Sequence, residues 1–339
     1  MNPTQFQQIT GRYSRLSIAV LGDFCLDRYL EIDPSLEETS LETGLGVYNV
    51  VRVRAQPGGA GTVLNNLVAL GIGRLVPIGF AGDDGEGFEL LRAMRDLPGV
   101  AMDCFRQTPL RRTFTYCKPL VLEQGKPPRE LNRLDSKNWT PTPAEVQERL
   151  IAAIRAEAGR IDALVIMDQV DAAGTGVATA DVLAAVGQIA AKLPQLRILA
   201  DSRRGLHGYP AVCWKMNRAE LGKLCGGAPP ANLDAAKLAA VELARRNGSD
   251  VFVTLAEEGI LAATPNGRAC HAAALPIRGE IDIVGAGDSV TANLAAALAA
   301  GSSPAEALEL ASAAASVVIH QLGTTGTASV RQIAETLGM

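Results

Sequence analysis

The sequence predicts an α/β protein in which a mainly parallel sheet is covered by helices on both faces. Short apolar runs alternate with longer stretches of helical periodicity over most of the 339 residues. The runs are continuously apolar and closely followed by Gly or Asp, which is typical of parallel strands buried on both faces. Hydrophobic residues make up 47% of the chain, which is ample for a large core.

The alternation predicts five buried strands and seven helices. The predicted strands are residues 17–21, 75–79, 163–167, 197–200 and 251–255. The predicted helices are residues 63–70, 87–95, 143–157, 179–192, 233–246, 289–300 and 304–320. Strands connected through helices are expected to run parallel, because the crossover returns the chain to the same end of the sheet.

Two extended stretches, about residues 28–56 and 103–135, interrupt this alternation. The first contains the alternating run VYNVVRVRA, and the second contains FTYCKPLVLE. Such alternation is typical of half-buried strands, so we predict a small inserted β-sheet that serves as a lid; two long surface loops are the alternative. We expect one domain over residues 1–339, because no linker rich in Pro, Gly and Ser divides the chain.

Charge and composition argue against several classes of protein. The net charge is −4 and the pI about 5.6, so no basic field is available to gather nucleic acid. The N-terminus carries no apolar leader, and no apolar run is long enough to span a bilayer, so we expect a cytoplasmic protein without a membrane partner. The six cysteines form no Cys-x-x-Cys pair, and we expect reduced thiols.

The segment Asp282-Ile-Val-Gly-Ala-Gly-Asp288 carries the strongest chemical signal. Gly285 and Gly287 permit a tight turn and remove side chains that would keep an anion away. A predicted helix follows at once, and its unpaired N–H groups and dipole favour negative charge at this end. The segment is therefore a candidate site for a phosphoryl group in transfer.

Two interpretations of Asp288 remain open at this point. Asp is a preferred N-cap residue, so Asp288 could simply begin the helix. A carboxylate facing a phosphate site would repel the ligand unless it accepts the proton of an attacking hydroxyl, which is the task of a kinase base.

The stretch DIVGAGDSVTANLAAALAAG resembles the C-terminal signature of the ribokinase/PfkB carbohydrate kinases, and QPGGAGTVLNNLVALG resembles their N-terminal signature. Five further matches follow the order of the family: GDFCLD, GDDGEG, NRAE, VTLAEEG and LGTTG. The resemblance covers nearly the whole chain. It implies a ribokinase-like three-layer α/β/α fold and transfer of the γ-phosphoryl group of ATP to a hydroxyl of a sugar or sugar phosphate.

The resemblance also implies roles for individual residues. It makes Asp288 the catalytic base, with Gly285, Ala286 and Gly287 forming the anion hole. The residues that it and the strand ends assign to the acceptor substrate are Asp23, Asp27, Gly58, Gly59, Thr62, Arg112 and Asp168. Asp23 has a turn-forming role as its alternative, and Thr62 stands where the family usually has Asn.

The nucleotide and the cations are assigned in the same way. The expected nucleotide-binding residues are Asn217, Glu220, Thr254, Gly259 and Ser312. Asn217 and Glu220 would also hold water around Mg²⁺, and a capping box at a helix start is the alternative reading of the pair. Asp282 resembles the family's ligand for a monovalent cation, so K⁺ activation is expected.

Within the family, three segments look most similar to the heptose 7-phosphate kinase branch. They are GDFCLDRYL, the RLD at 133–135 and LGTTG. A heptose phosphate is therefore the leading candidate for the acceptor, and Arg111, Arg112 and Arg133 are candidates to bind its phosphate. We also expect a homodimer formed through the lid strands. The rival hypothesis is a non-catalytic sugar- or nucleotide-binding regulator on the same fold. An NAD-dependent dehydrogenase is disfavoured, because no Gly-x-Gly-x-x-Gly follows the first strand.

Overall fold

The computed structural model describes residues 1–339 and confirms the predicted α/β class, with a mainly parallel sheet between two layers of helices. The strands of the main sheet are β1 (Ser17–Gly22), β6 (Arg74–Gly82), β7 (Phe105–Thr108), β11 (Ala163–Asp168), β12 (Arg197–Ser202), β13 (Cys213–Asn217), β14 (Val251–Thr254), β15 (Ile260–Ala263) and β16 (Ala269–Ala272). The strands outside it are β2 (Phe24–Ile32), β3 (Glu38–Thr39), β4 (Gly46–Val47), β5 (Val50–Gly59), β8 (Phe114–Val121), β9 (Arg129–Glu130) and β10 (Leu134–Ser136).

The main sheet has the order β7-β6-β1-β11-β12-β13-β14-β15-β16. Its first seven strands are parallel, and β15 and β16 add to the end in antiparallel fashion. All five predicted strands lie in the parallel part. Their carboxyl ends therefore meet at one edge, which is where open α/β sheets bind ligands.

Ten α-helices accompany the sheets: α1 (Pro3–Thr10), α2 (Ala60–Ala69), α3 (Gly85–Arg95), α4 (Ala144–Glu157), α5 (Ala180–Lys192), α6 (Arg218–Leu224), α7 (Leu233–Asn247), α8 (Ala286–Ala299), α9 (Pro304–Val318) and α10 (Val330–Thr336). The seven predicted helices are all present, with ends that differ by a few residues. None of the ten combines the length and the apolar character that crossing a bilayer requires.

Two hydrophobic cores lie on opposite faces of the main sheet, because successive side chains of a strand point to opposite faces. Ile18 and Val20 of β1 pack with α2, α3, α8 and α9 on one face. Ala19 and Leu21 of the same strand pack with α4, α5, α6 and α7 on the other. This double burial explains why the strands are apolar at every position.

A separate small sheet, with the order β10-β8-β2-β5 and β9 paired to β8, projects beside the main one. It takes strands from both stretches that were predicted as extended. Residues 105–108 of the second stretch differ: as β7 they pair with β6 in the main sheet, where Phe105 stacks edge-on against Phe24 at 5.2 Å. The first stretch also begins earlier than predicted, since β2 starts at Phe24. Asp27 consequently lies on a strand of the small sheet and not in a loop after β1.

Candidate active site

The glycine turn ahead of α8 presents unpaired backbone donors at the ligand-binding edge. Gly285 is the N-cap, with φ of 81°, a left-handed conformation that glycine adopts without strain. The N–H of Ala286 bonds to Ile283 O at 3.2 Å, and the N–H groups of Gly287 and Asp288 have no partner in the protein. Free N–H groups at a helix start bind anions, so the turn has the geometry of an anion hole.

Asp288 does not cap this helix. It is the third helical residue, the capping position belongs to Gly285, and no side chain caps the turn. The Asp288 carboxylate makes no hydrogen bond within the protein and is half-buried at the edge of the site. Burial, followed by the charge of Asp201, raises the pKa of Asp288 to about 7, while Lys215 opposes the rise. A carboxylate with this pKa is matched to accepting a proton near neutral pH.

A second unpaired carboxylate is that of Asp27, on β2 of the small sheet. Asp27 is 6% exposed and accepts no hydrogen bond from the protein. Its pKa is raised by burial, against the opposing charges of Lys118 and Arg133. Asp27 lies near enough to Asp288 to contribute to the raised pKa of that residue. The two free carboxylates therefore border one site, Asp27 from β2 of the small sheet and Asp288 from the first turn of α8.

Gly58 makes room for the Asp27 carboxylate. In the β2–β5 ladder Gly58 pairs with Cys25, and a Cβ atom at Gly58 would lie 2.6 Å from Asp27 Oδ2. Its neighbour Gly59 has φ of 58°, and a Cβ there would lie 2.6 Å from Asp23 O. Both glycines of the predicted pair are thus required by close approach of Asp27 and Asp23 at the end of β5.

The variant Gly58→Ala should displace the Asp27 carboxylate. We expect KM for the acceptor to rise at least about tenfold with a smaller change in kcat, because misplacing a binding group by about 1 Å has effects of this size. Steady-state kinetics against acceptor concentration measures the effect. Gly85→Ala is the matched control, since no atom lies within 4 Å of a Cβ at Gly85. An unchanged KM in Gly58→Ala would show that Asp27 does not hold the acceptor.

A small cleft lies between β8 and the loops that follow β10 and β11. Its lining includes Cys25, Tyr116 and Trp139. The cations of Arg133 and Lys137 lie over the Tyr116 ring, at 4.9 and 5.8 Å from its centroid. Both cations are also ion-paired, Arg133 with Asp135 and Lys137 with Asp171, so the cleft combines aromatic side chains with paired charges and suits a polar ligand.

Asp23 and Asp168, both predicted to contact substrate, are engaged inside the protein. The Asp23 carboxylate accepts the N–H groups of Gln169 and Val177, each at 2.8 Å. Asp168 Oδ2 accepts hydrogen bonds from three side chains at 2.7–2.8 Å, and Asp168 Oδ1 is buried without a partner. The three donors are Ser202, Arg204 and Tyr209. Through these contacts both carboxylates stabilise the loops behind the cleft.

Thr62 and the arginines occupy different environments. Thr62 is buried in the first turn of α2, directly after the glycine pair. Arg112 is exposed, and its Nε donates to Ser136 Oγ at 3.1 Å. Arg111 is buried, and it donates to the backbone carbonyls of Thr140 and Thr175 at 3.0 and 2.6 Å. Arg111 is therefore committed to the fold, whereas Arg112 remains accessible.

Asn217 and Glu220 form the capping box of α6. The Asn217 side chain accepts the Glu220 N–H at 2.9 Å, and Glu220 Oε2 accepts the Asn217 N–H at 2.7 Å. Glu220 Oε1 has no partner in the protein, and burial raises the pKa of Glu220. The capping alternative is thus realised, and one oxygen of Glu220 stays free to hold water around a cation. The residues present are compatible with water-mediated binding of Mg²⁺.

Thr254, Gly259 and Ser312 lie toward the β14–β15 end of the sheet. Thr254 Oγ1 is 3.4 Å from Met216 O, and Ser312 Oγ donates to Ala273 O at 3.1 Å. Gly259 turns the chain into β15 with φ of 96°. The structure brings these three residues to the neighbourhood of α6 and α9, away from Asp27.

Asp282 ties the glycine turn to the loop after α9. Its Oδ1 accepts the Val284 N–H at 3.0 Å, and its Oδ2 accepts the Gly323 N–H at 3.3 Å. Thr325 of that loop packs against Gly285 and accepts a hydrogen bond from Gln56 of β5 at 2.5 Å. The loop therefore connects the anion hole to the small sheet.

Two residues beside Asp288 were not predicted as site residues. Lys215 and Asp201 form a buried ion pair at 2.7 Å beneath the glycine turn. Two signals were available in the sequence. Lys215 interrupts an apolar strand, and Asp201 lies near the carboxyl end of another apolar strand. The pairing itself depends on the register of β12 and β13, which the sequence does not state.

A family model described as pfkB family carbohydrate kinase matches residues 17–331, and the chain belongs to this family. The resemblance seen in the glycine motifs is thereby confirmed.

Curated relatives include the bifunctional protein HldE of Azorhizobium caulinodans, 32% identical over 309 residues, which are 91% of this chain and 61% of that protein. HldE of Pelobacter propionicus is 31% identical over 327 residues, 96% of this chain and 64% of that protein. The chain thus spans about three fifths of the length of these relatives.

Solved structures of similar fold include Arabidopsis thaliana ribokinase complexed with ribose and ATP, with a TM-score of 0.69 and 17% identity over 96% of this chain and 99% of that one. Phosphofructokinase-2 from Escherichia coli in complex with fructose-6-phosphate has a TM-score of 0.68 and 19% identity over 95% and 98%. These likenesses confirm the ribokinase-like fold.

Proposed function

We propose that the protein transfers the γ-phosphoryl group of ATP to a hydroxyl group of a sugar or sugar phosphate. A bond forms between the acceptor oxygen and the γ-phosphorus, the bond from the γ-phosphorus to the β–γ bridging oxygen breaks, and ADP leaves. Asp288 takes up the proton of the acceptor hydroxyl. The free N–H groups of Gly287 and Asp288 stabilise the charge that develops on the phosphoryl oxygens.

The observation that carries this proposal is the pair of unengaged carboxylates around an anion-binding turn. Most buried carboxylates in this chain are engaged by amides or cations, as Asp23 and Asp168 show. Asp27 and Asp288 have no such partners. A free carboxylate next to free N–H donors serves a reaction in which an anion and a departing proton meet.

The nucleotide and the cations are part of the proposal. Asn217 and Glu220 would hold water around Mg²⁺, which neutralises charge on the ATP phosphates when bound. Thr254, Gly259 and Ser312 would border the nucleotide. Asp282 and the loop at 321–327 would hold K⁺ beside the turn, where a cation strengthens the anion hole.

The small sheet would serve as a lid over the acceptor and exclude water, which otherwise accepts the phosphoryl group. Its outer strand β5 has an unpaired edge and exposed Val50, Val51 and Val53. Such an edge is a ready surface for pairing with a second chain, which supports a homodimer. The proposed location is the cytoplasm. The whole chain would form one kinase domain.

A heptose 7-phosphate is the leading candidate for the acceptor. The curated relatives are HldE proteins, and the sequence motifs resemble the heptose 7-phosphate kinase branch. Arg133 and Lys137 lie over Tyr116, which pairs with Asp27 in the β2–β8 ladder, and Arg112 is exposed. A phosphate on the acceptor would compete with Asp135 and Asp171 for Arg133 and Lys137, whereas Arg112 makes no ion pair.

The test is an acceptor panel with ATP and Mg²⁺, in which ADP release is coupled to an optical signal and the product is identified by mass spectrometry. The panel contains neutral sugars, hexose phosphates and heptose 7-phosphate. We expect at least one acceptor to raise ADP release about 100-fold over the acceptor-free rate, because the closed site discriminates against water. Sugar or nucleotide binding by thermal shift without any turnover would instead favour a non-catalytic regulator.

A further inference from the structure

A buried lysine lies directly beneath the glycine turn. Lys215 is 7% exposed, and it is the only buried lysine of the chain. It lies near the carboxyl end of β13, at the edge of the sheet where the site is built. Lysine is almost never fully buried unless it is paired. Its position in the middle of the candidate active site indicates that its charge has a function there.

Lys215 is held by a small network. Its Nζ donates to Asp201 Oδ2 at 2.7 Å, and Thr291 Oγ1 lies 2.9 Å from the same oxygen. Asp201 and Lys215 are direct neighbours in the parallel β12–β13 ladder. Thr291 Oγ1 is also 3.0 Å from Gly287 O, which connects the network to the first turn of α8. The ammonium group is therefore fixed relative to the anion hole.

Gly287 allows close contact between this ammonium group and the turn. A Cβ atom at Gly287 would lie 3.3 Å from Lys215 Nζ. Only one of the three Nζ donors has a partner in the protein, the carboxylate of Asp201. Two N–H donors of a permanent cation thus remain next to the unpaired N–H groups of the turn.

We propose that Lys215 is a positioning residue of the kinase site. Its ammonium group is held by Asp201, whose carboxylate also contacts Thr291, and is a permanent positive charge beneath the glycine turn. There it attracts the phosphoryl group in transfer and stabilises the ionised form of Asp288. This inference rests on the proposed kinase function, and it adds a residue that neither the glycine motif nor the capping box contains.

The charged groups around Asp288 support the second part of the proposal. Asp201 from β12 and Asp27 from β2 both favour its protonated form. Lys215 from β13 and Arg203 from the loop after β12 favour its ionised form. Lys215 is the buried member of the two cations, so its effect is screened least by solvent. Removing it would leave two carboxylates opposed by one exposed arginine.

A purely structural role is the alternative, in which the pair only joins β12, β13 and α8. The two roles predict different behaviour of a neutral replacement. Lys215→Met alone leaves Asp201 buried and unpaired, which destabilises any protein. The double variant Lys215→Met/Asp201→Asn removes both charges, and neutral replacements of buried pairs are commonly tolerated. A structural pair would recover in the double variant, whereas a lost positive charge would not.

The experiment measures kcat, KM for the acceptor and the melting temperature, together with the titration of Asp288 by ¹³C NMR of its carboxyl carbon. We expect Lys215→Met and the double variant to lower kcat at least about tenfold, with KM changed less than about threefold, because the lost interaction acts on charge in the transition state. In Lys215→Met the Asp288 carboxyl should titrate at a higher pH, by about one pH unit.

The matched control is Arg74→Met, which removes the Arg74–Glu157 pair (2.8 Å) at the start of β6. It should lower the melting temperature and leave kcat and the titration unchanged. Recovery of wild-type kcat in the double variant, or an unmoved Asp288 titration in Lys215→Met, overturns the proposal. The titration requires no turnover. If wild-type protein phosphorylates no acceptor, the kinase function fails, and the titration still decides whether Lys215 acts on Asp288.

Discussion

Replacing Asp288 by Asn should reduce kcat at least about 10³-fold while the protein remains folded. The amide has nearly the same shape, but it cannot accept the proton of the attacking hydroxyl, and general-base contributions reach this size. Stability should be retained or increased at neutral pH. A buried carboxylate with a raised pKa disfavours the folded state when it is ionised, and the neutral amide removes that cost. Single-turnover kinetics and thermal melting measure the two effects.

The substitution Asp282→Asn is a useful comparison for this result. Asp282 lies in the same loop, but its carboxylate is engaged by the N–H groups of Val284 and Gly323 and is not placed to accept the proton. Its substitution should therefore affect turnover much less than that of Asp288. Turnover of Asp288→Asn within about tenfold of wild type would mean that another group accepts the proton, and the proposed mechanism would have to be abandoned.

The rate at low acceptor concentration should fall as the pH drops below about 7. Burial and Asp201 raise the pKa of Asp288 to about 7, and only the ionised carboxylate can accept a proton. The activity is thus fully present above this pKa and is lost below it. With one required ionisation, kcat/KM should decline about tenfold per pH unit and be about 100-fold lower at pH 5 than on the alkaline plateau.

The Asp288→Asn variant shows whether the loss of rate at low pH comes from Asp288 or from ionisation of the substrates. Phosphate groups of ATP or of a phosphorylated acceptor also titrate near neutrality. If they cause the acid limb, the residual activity of Asp288→Asn will keep it. If Asp288 causes the limb, the variant's profile will be flat there. A wild-type profile that is level from pH 5 to 8 would contradict the assignment of Asp288 as the base.

Much of the fold follows from local patterns that the sequence displays. The parallel strands are continuous apolar runs because both faces are covered, and this signal predicted β1, β6, β11, β12 and β14. Helix α1 was missed because PTQFQQIT buries only Phe6 and Ile9. The membership of β7 was missed for another reason. Its extended pattern is the same in either sheet, and only packing of Phe105 against Phe24 and pairing with β6 decide between them.

The site was predictable where a residue's function depends on its immediate neighbours. The glycine turn and Asp288 are consecutive in sequence, so their geometry is local. Asp23 and Asp27 look alike in sequence, since both follow the first strand. The structure distinguishes them, because amides from a loop about 150 residues away engage Asp23 and leave Asp27 free. Lys215 belongs with these long-range cases, since its partner comes from a neighbouring strand.

The passage from β1 to β2 has a consequence for redesign. Only Asp23 separates the two strands, and its backbone and carboxylate are bound to Met167, Gln169, Val177 and Ala60. The joint between the two sheets is therefore anchored independently of what the small sheet holds. Under the proposed function, side chains on β8 and β10 are the positions to vary when acceptor preference is to be altered, because they belong neither to this joint nor to the glycine turn.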